Sequence, residues 1–319
     1  MFEELIPFIE KNDSIVIFGH IIPDGDCYGS QIGLREVIKL NYPNKKVYAV
    51  GSGVRRFFKY LGEMDIVDDE TIKNSLAILV DGNDCSRMED QRVTTAKEFI
   101  KIDHHIENYR FTEGKFVIDN SANSTCELVV QLIQEMNWKV NPNICDALYL
   151  GILTDSGRFQ FIEDFPKAFR EVAFLCENGA KPQEINKILN VTNEVAMIFK
   201  GYVFSHYQKT ESGVIYLTFS KEILKKMNVS ASKAGGMVNL ISNVEGFPIW
   251  AFFCENEDGT CHAEFRSNGP GVQPIASKYG GGGHLLAAGV TLENMSDDLV
   301  TKIINDLDDA IISFKKENK

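Results

Sequence analysis

The chain has 319 residues, 44 % of them hydrophobic and 24 % charged, with a formal net charge of −12. Those values describe a soluble globular protein long enough for two domains, each with its own core. Acidity of this size argues against coating long duplex nucleic acid, where phosphate neutralisation dominates affinity, but allows a short charged substrate met by local cations such as bound metals.

The first stretch, MFEELIPFIEK, is acidic and amphipathic and lacks the basic and apolar regions of a signal peptide. No apolar run approaches the length of a membrane span, so a cytoplasmic protein with no membrane partner is expected. Seven cysteines stand apart with no CxxC pair, which reads as reduced, mostly buried thiols. From Ser14 onward, SIVIFG, KKVYAV, LAILVD and EFIKID are short runs rich in Val and Ile and bounded by polar turns, which predicts buried strands. Between the first two, GSQIGLREVIKLN carries Ile32, Leu34, Val37, Ile38 and Leu40 at helical spacing. Strand–helix alternation of this kind predicts an α/β fold with a doubly wound, mainly parallel sheet.

Helices are expected at about 122–137, 142–153, 166–178 and 181–190, and then a long helix that ends at a polar break near Glu211–Gly213. The domain reading is therefore 1–190, a helical linker over 191–212, and a smaller α/β domain over 213–319. Strands VIYLTF, FPIWAFFCE and TCHAEFRS and helices near 221–227, 231–242 and 296–315 build the second domain. The sequence shows no internal repeat and no low-complexity tract.

Ligands of open parallel sheets bind beyond the carboxyl ends of the strands. There the first strand is followed by His20, Asp24 and Asp26, the third by Asp81, and the fourth by Asp103, His104 and His105, while Asp155 ends a helical run in GILTDSGRF. Each group alone reads as a helix cap or a turn residue. Together, at the same relative place in successive units, they read as a metal site. Asp24 and Asp26 are two residues apart and can serve neighbouring ions, and two ions about 3.5–4 Å apart need a shared carboxylate, for which Asp81 is placed. A mixed N/O set without thiolate suits Mn²⁺ or a similar divalent ion, and Cys27 reads as packing. On extended chain His104 and His105 point to opposite faces, so one is expected to bind a metal and the other to face substrate. Asp103 then accepts a ring N–H and fixes the tautomer.

In the second domain RSNGPGVQPIASKYGGGGHLLAAG places four glycines, Gly280 to Gly283, before His284. Linkers are flanked by polar residues, whereas this run leads into LLAAGV, expected to be buried. The reading is a glycine loop whose backbone N–H groups approach an anion, with Arg266 adding a bidentate phosphate contact.

In order, GHIIPDGDC, LVDGND, IDHH and GILTDSGRF resemble the four motifs of the DHH phosphoesterases, and RSNGPG…GGGGHLLAAG is similar to the signature of their DHH-associated C-terminal domain. The resemblance covers nearly the whole chain, and the two-domain length is similar to the nanoRNase branch of bifunctional oligoribonucleases and pAp phosphatases. It implies that His20, Asp24 and Asp81 hold one Mn²⁺, and Asp26, Asp81, His104 and Asp155 the other, with Co²⁺ or Mg²⁺ as substitutes. It also implies catalytic roles for His105, Asp81 and Asp103, and substrate binding by Arg266, Ser267, Gly281, Gly282, Gly283 and His284. The sequence departs from the pattern after RS, where Asn268 replaces a frequent basic residue.

The function implied is two-metal hydrolysis of short RNA to mononucleotides and of 3′-phosphoadenosine 5′-phosphate (pAp) to AMP and phosphate, by a monomer or homodimer. The alternatives are a pApA or c-di-AMP phosphodiesterase on the same fold and a non-catalytic nucleotide sensor.

Overall fold

The apolar runs of the first half become the strands of one sheet, in a computed structural model that describes residues 2–82, 85–105, 114–162 and 164–318. Asn83 and Asp84 of the LVDGND motif lie outside the described residues. The chain divides into two compact units, Met1–Val191 and Thr192–Lys319. Among the described residues no helix is long and apolar enough to cross a membrane.

In the first unit, β1 (Ser14–Phe18), β2 (Lys46–Val50), β3 (Leu76–Val80), β4 (Glu98–Asp103) and β5 (Lys115–Ile118) form a sheet in the order β2-β1-β3-β4-β5. Every pairing is parallel. Residues of β3 are buried throughout, as a strand covered on both faces requires. β5, KFVI, was not expected from sequence; it is a four-residue edge strand with one fully buried position, too short for a periodic signal. The strand order reverses at β1, so the crevice beyond β1 and β3 is the switch point where such sheets bind ligands.

Among the larger helices of this unit, α1 (Gly25–Asn41) and α2 (Thr125–Glu135) pack on the sheet, α3 (Pro142–Asp155) packs on both of them, and α4 (Phe165–Glu177) and α5 (Pro182–Asn190) pack on α3. α1 and α3 approach so closely that only glycine fits between them. A Cβ on Gly29 would meet the Ala147 carbonyl, and one on Gly33 the Leu148 side chain. At the near end, a Cβ on Gly25 would meet Thr154, and one on Gly151 would meet Asp26. This packing brings the first turn of α1 against the last turn of α3, and so Asp26 toward Asp155.

The second unit is a mixed six-stranded sheet: β6 (Gln208–Lys209), β7 (Val214–Phe219), β8 (Ile249–Glu255), β9 (Cys261–Ser267), β10 (Gly282–His284) and β11 (Ala287–Leu292), in the order β10-β11-β9-β8-β7-β6. One face packs on the long C-terminal helix through Ile303, Leu307 and Ile311 with Ala251, Phe253 and Phe265. The other face packs on α6 (Glu194–His206), whose Phe199 and Val203 join Leu217, Phe219 and Phe252. The segment expected to be a linker is therefore partly a core element of this unit. The helix expected over 231–242 stops at Gly235, beside a second glycine, and resumes as a 3₁₀ turn at Val238–Ile241. In LLAAGV, expected to be buried, Leu285 is 63 % and Leu286 41 % exposed. They form the β10–β11 turn, where their carbonyls accept from Val272 and Ser267 and their side chains face outward.

Candidate metal centre

The groups at the carboxyl edge of the first sheet are held there by backbone geometry. Asp81 ends β3 with φ +56°, a left-handed conformation that an L-residue adopts where its surroundings over-determine it, and Asp tolerates better than most. Its N–H still donates to Ile102 O at 3.2 Å, so the ladder to β4 continues into the turn. Ile22, in the loop after β1, is also left-handed at φ +58°. Pro23 follows, and Asp24 caps α1, its Oδ1 accepting from the N–H groups of Asp26 and Cys27 at 2.9 and 3.0 Å.

Asp81 is the hub. Its Oδ2 lies 3.4 Å from His20 Nε2, and its Oδ1 3.6 Å from both His104 Nε2 and His105 Nδ1. Asp155 Oδ2 is 3.2 Å from the same His104 nitrogen. Among the described residues, ligand-capable atoms fall into three overlapping groups, each within 4.8 Å: His20, Cys27 and Asp81; Asp81, His104 and His105; Asp26, His104 and Asp155. Six of the residues expected to meet here therefore do so: His20, Asp26, Asp81, His104, His105 and Asp155. Asp24 stands farther out, exposed, committed to the helix cap and 4.0 Å from His20 Nε2.

The two adjacent histidines do not diverge as extended chain would have them. β4 ends at Asp103, so the two-residue alternation stops there, and the rings lie 4.4 Å apart over one carboxylate oxygen. Cys27 is fully buried. Burial first, then the Asp81 charge, drives its thiol well above the ordinary range, and its Sγ faces Gln31 Oε1 at 3.8 Å, as a packed thiol does.

Electrostatics favour a cation. Asp26 is fully enclosed, and burial together with the charges of Asp81 and Asp155 raises its pKa despite N–H bonds from Thr125 and Cys126 at 2.7 and 2.9 Å. Those two N–H groups open α2, so the carboxylate sits at a helix N-terminus, where hydrogen bonds and dipole both favour its charged form. Asp155 is raised to about 6 by burial, with the Asp81 charge adding to it against His104. Burial alone would lower His20, but its contact with Asp81 wins and raises it to about 9.

The tautomers sharpen the point. His104 Nδ1 faces the Ala122 carbonyl at 3.3 Å and His20 Nδ1 the Ile21 carbonyl at 2.8 Å, which directs both Nε2 atoms toward carboxylates. His104 Nε2 is buried with no hydrogen-bond partner. A nitrogen lone pair facing carboxylate oxygens needs a positive charge between them, a proton or a metal ion, and the N/O donor set fits a divalent metal.

Behind this cluster runs a charged row that sequence reasoning reached only in part. Lys101, Asp103 and His105 alternate along β4 and its exit. Lys101 Nζ lies 3.0 Å from Asp103 Oδ2, and His105 Nδ1 lies 2.8 Å from Asp103 Oδ1. Lys101 is only 2 % exposed. Burial alone would raise Asp103, but its partners hold it below the usual carboxylate range, and Asp103 in turn raises His105. The expected Asp103 contact thus orients His105. The missed signal was a lysine at an inward position of an apolar strand, EFIKID.

In the second unit, Arg266 Nη1 is held by Glu264 Oε2 at 2.7 Å and the Phe265 carbonyl at 2.9 Å, on the strand β9 beside β11. Ser267 is nearly buried and its Oγ accepts from Gly269 N–H at 3.0 Å, so it shapes its own turn. Of the four glycines, Gly282 and Gly283 enter an edge strand, Gly282 pairing with Gly289 and His284 with Ala287, while Gly280 and Gly281 form the turn that leads into it. A Cβ on Gly281 would strike the Gly289 carbonyl and one on Gly283 the Ala287 carbonyl, whereas Gly282 faces open space and His284 is exposed.

The chain matches the DHH family, N-terminal domain, over residues 14–152 and the DHHA1 domain over 211–313. It is 35 % identical to a protein of Mycoplasma pneumoniae named bifunctional oligoribonuclease and PAP phosphatase NrnA, over 95 % of this chain and 94 % of that one. It is 34 % identical to the protein of that name in Bacillus subtilis, over 96 % and 97 %. An exopolyphosphatase-related protein of Bacteroides fragilis shares the fold, with a TM-score of 0.85, 23 % identity and coverage of 99 % and 96 %.

Proposed function

The chain belongs to the DHH family of phosphoesterases and carries its DHHA1 domain, and from that premise we propose a divalent-metal hydrolase of short oligoribonucleotides and of pAp. The observation that carries this reading is the cluster around Asp81, where the buried Asp81 and the more open Asp155 carboxylates face His104 Nε2, which has no hydrogen-bond partner among the described residues. The relatives named oligoribonuclease and PAP phosphatase support the substrate class.

In this reading His20, Asp24 and Asp81 hold one Mn²⁺, while Asp26, Asp81, His104 and Asp155 hold a second, with Asp81 shared. Bound there, the cations supply Lewis acidity, lowering the pKa of a water and offsetting charge on the phosphoryl oxygens. Asp26 stays fixed by the α2 N-terminus, so its carboxylate needs no reorganisation during turnover. His105, oriented by Asp103 and exposed enough to reach substrate, carries a proton to a phosphoryl or leaving oxygen. In the second unit, Arg266 and the open backbone at Gly282 offer a contact for a phosphate or nucleotide moiety.

The test is turnover by the purified protein with Mn²⁺. RNA of two to five residues should give mononucleotides, and pAp should give AMP and phosphate, with pApA and c-di-AMP in the same panel. No turnover of RNA or pAp with Mn²⁺, Co²⁺ or Mg²⁺ ends the reading.

A further inference from the structure

The segment after Asp155 carries more aromatic surface than the metal cluster uses. We infer that the exposed ring of Phe161 is a stacking platform for the nucleobase attached to the scissile phosphate, an inference that rests on the nucleotide-hydrolase reading above.

Three consecutive residues, Gly157, Arg158 and Phe159, have φ of +57°, +61° and +65°. Glycine takes this conformation freely, but for Arg and especially for Phe it is strained, and such strain gathers at functional segments. The turn is closed by Arg158 N–H to Leu153 O at 2.8 Å, Phe159 N–H to Ser156 Oγ at 3.1 Å and Phe161 N–H to Ser156 O at 3.0 Å. Arg158 is further tied to Asn190 Oδ1 at 2.8 Å. The backbone is thus fixed in an unfavourable shape by bonds on several sides.

That shape sorts the two aromatic side chains. Phe159 turns inward, 6.4 Å from the Tyr149 ring and 5.7 Å from Phe169. Phe161 turns outward and is 74 % exposed, yet its ring is seated on Gly157, where a Cβ would come within 2.5 Å of ring Cδ2. A lone exposed Phe on a surface needs no explanation. One held by a strained turn on a glycine two residues from Asp155 does, because Gly157 Cα lies within about 7.6 Å of Asp155 Cα, two peptide units on. A phosphate held at the Asp155 cluster therefore has its own base within reach of this ring. The cluster is acidic, so a base has no charge to seek there, and a π surface accepts any of the four bases.

The experiment compares Phe161→Ala, Phe161→Trp and the unaltered protein, with Mn²⁺, on pApA and on an analogue whose bases are replaced by hydrogen. Phe161→Ala should lower kcat/KM on pApA about tenfold or more, mainly through KM, since base–aromatic stacking is of that size. On the abasic analogue Phe161→Ala and the unaltered protein should agree, and Phe161→Trp should restore pApA turnover. Equal kcat/KM on pApA, or equal losses on both substrates, overturns the inference. If the unaltered protein cleaves neither pApA nor the RNA and pAp of the panel above, the functional reading fails separately. Stacking is then read directly, as quenching of Phe161→Trp fluorescence by AMP but not by ribose 5-phosphate, relative to the unaltered protein. Absence of that difference overturns it too.

Discussion

In the first unit the candidate chemistry is buried and assembled: Asp26, Asp81 and Asp103 are each at most 3 % exposed, at the carboxyl ends of parallel strands or the adjoining helix. In the second unit it is open, a three-residue edge strand of two glycines and His284, all exposed, beside the half-buried Arg266. The contrast fits the two roles proposed above. A centre that holds divalent cations needs several like charges at fixed positions, and only packing from all sides can keep them there. A face that receives an anion needs free N–H groups and approach, which an edge strand without side chains provides. Changes in the first unit should therefore strike turnover and stability hard, and changes in the second should strike affinity with little effect on the fold.

The hardest blow is Asp81→Asn. It removes the oxygen charge shared by His20, His104 and His105, and kcat on pAp should fall on the order of 10³-fold or more. Calorimetric Mn²⁺ titration should show binding weakened for the whole cluster. Activity near that of the unaltered protein would mean that the buried groups are structural, and the contrast between the units would collapse.

Lys101→Met tests the row behind the cluster. It leaves Asp103 buried without its cation, and loss of one partner of a buried pair costs about 3–5 kcal/mol. Urea unfolding should show that loss, and kcat should fall with KM little changed, because His105 loses the carboxylate geometry that orients it. Unchanged stability would show that Asp103 is held by its other contacts.

These two positions also show what the sequence made legible. The strands β1 to β4 and the chain of groups at their ends could be read because a parallel sheet places polar residues where apolar runs stop. β5 and β11 could not. β5 has one buried position in four, and β11 is reached through glycines and exposed leucines that carry no alternation. Asp24 was legible both as a cap and as a ligand; its Oδ1 caps α1, and the ligand role stands as the proposal made above. Lys101 was hidden because its partner lies two residues along the same strand, a pairing that reads in sequence as an ordinary amphipathic lysine.

A pH series on the metal-free protein probes the same charges more gently. Asp155, raised to about 6, and His20, raised to about 9, both bind protons more tightly in the folded state than in the unfolded one. Where the folded state holds more protons, stability falls as pH rises. Asp155 therefore contributes stability to the metal-free protein that is lost as pH rises from about 4 to 6, and His20 contributes stability that is lost from about 6.5 to 9, a loss that Asp155→Asn and His20→Gln should respectively remove. In the proposed reading a divalent cation takes the place of those protons, so thermal unfolding with saturating Mn²⁺ should flatten both windows. Stability that rises with pH across either window in the metal-free protein would contradict the arrangement around Asp81.

The smallest effect belongs to the second unit and separates adjacent glycines. Gly281 has no space for a methyl group, because a Cβ there strikes the Gly289 carbonyl across the β10–β11 pair. Gly282 has open space, and its φ lies outside the left-handed region. Gly281→Ala should therefore destabilise the unit by distorting the hairpin. Gly282→Ala should leave the melting temperature unchanged or slightly raised, since restricting the unfolded chain at a compatible position is favourable. If the exposed backbone at Gly282 receives a phosphate, the added methyl stands where the anion approaches, and KM for pAp should rise about tenfold with kcat nearly unchanged. An unchanged KM would leave Gly282 as spacer and move the anion contact to Arg266 and His284, where Arg266→Ala would then have to raise KM. The paired result, one glycine read by stability and its neighbour by affinity, separates a recognition surface from a merely tight turn.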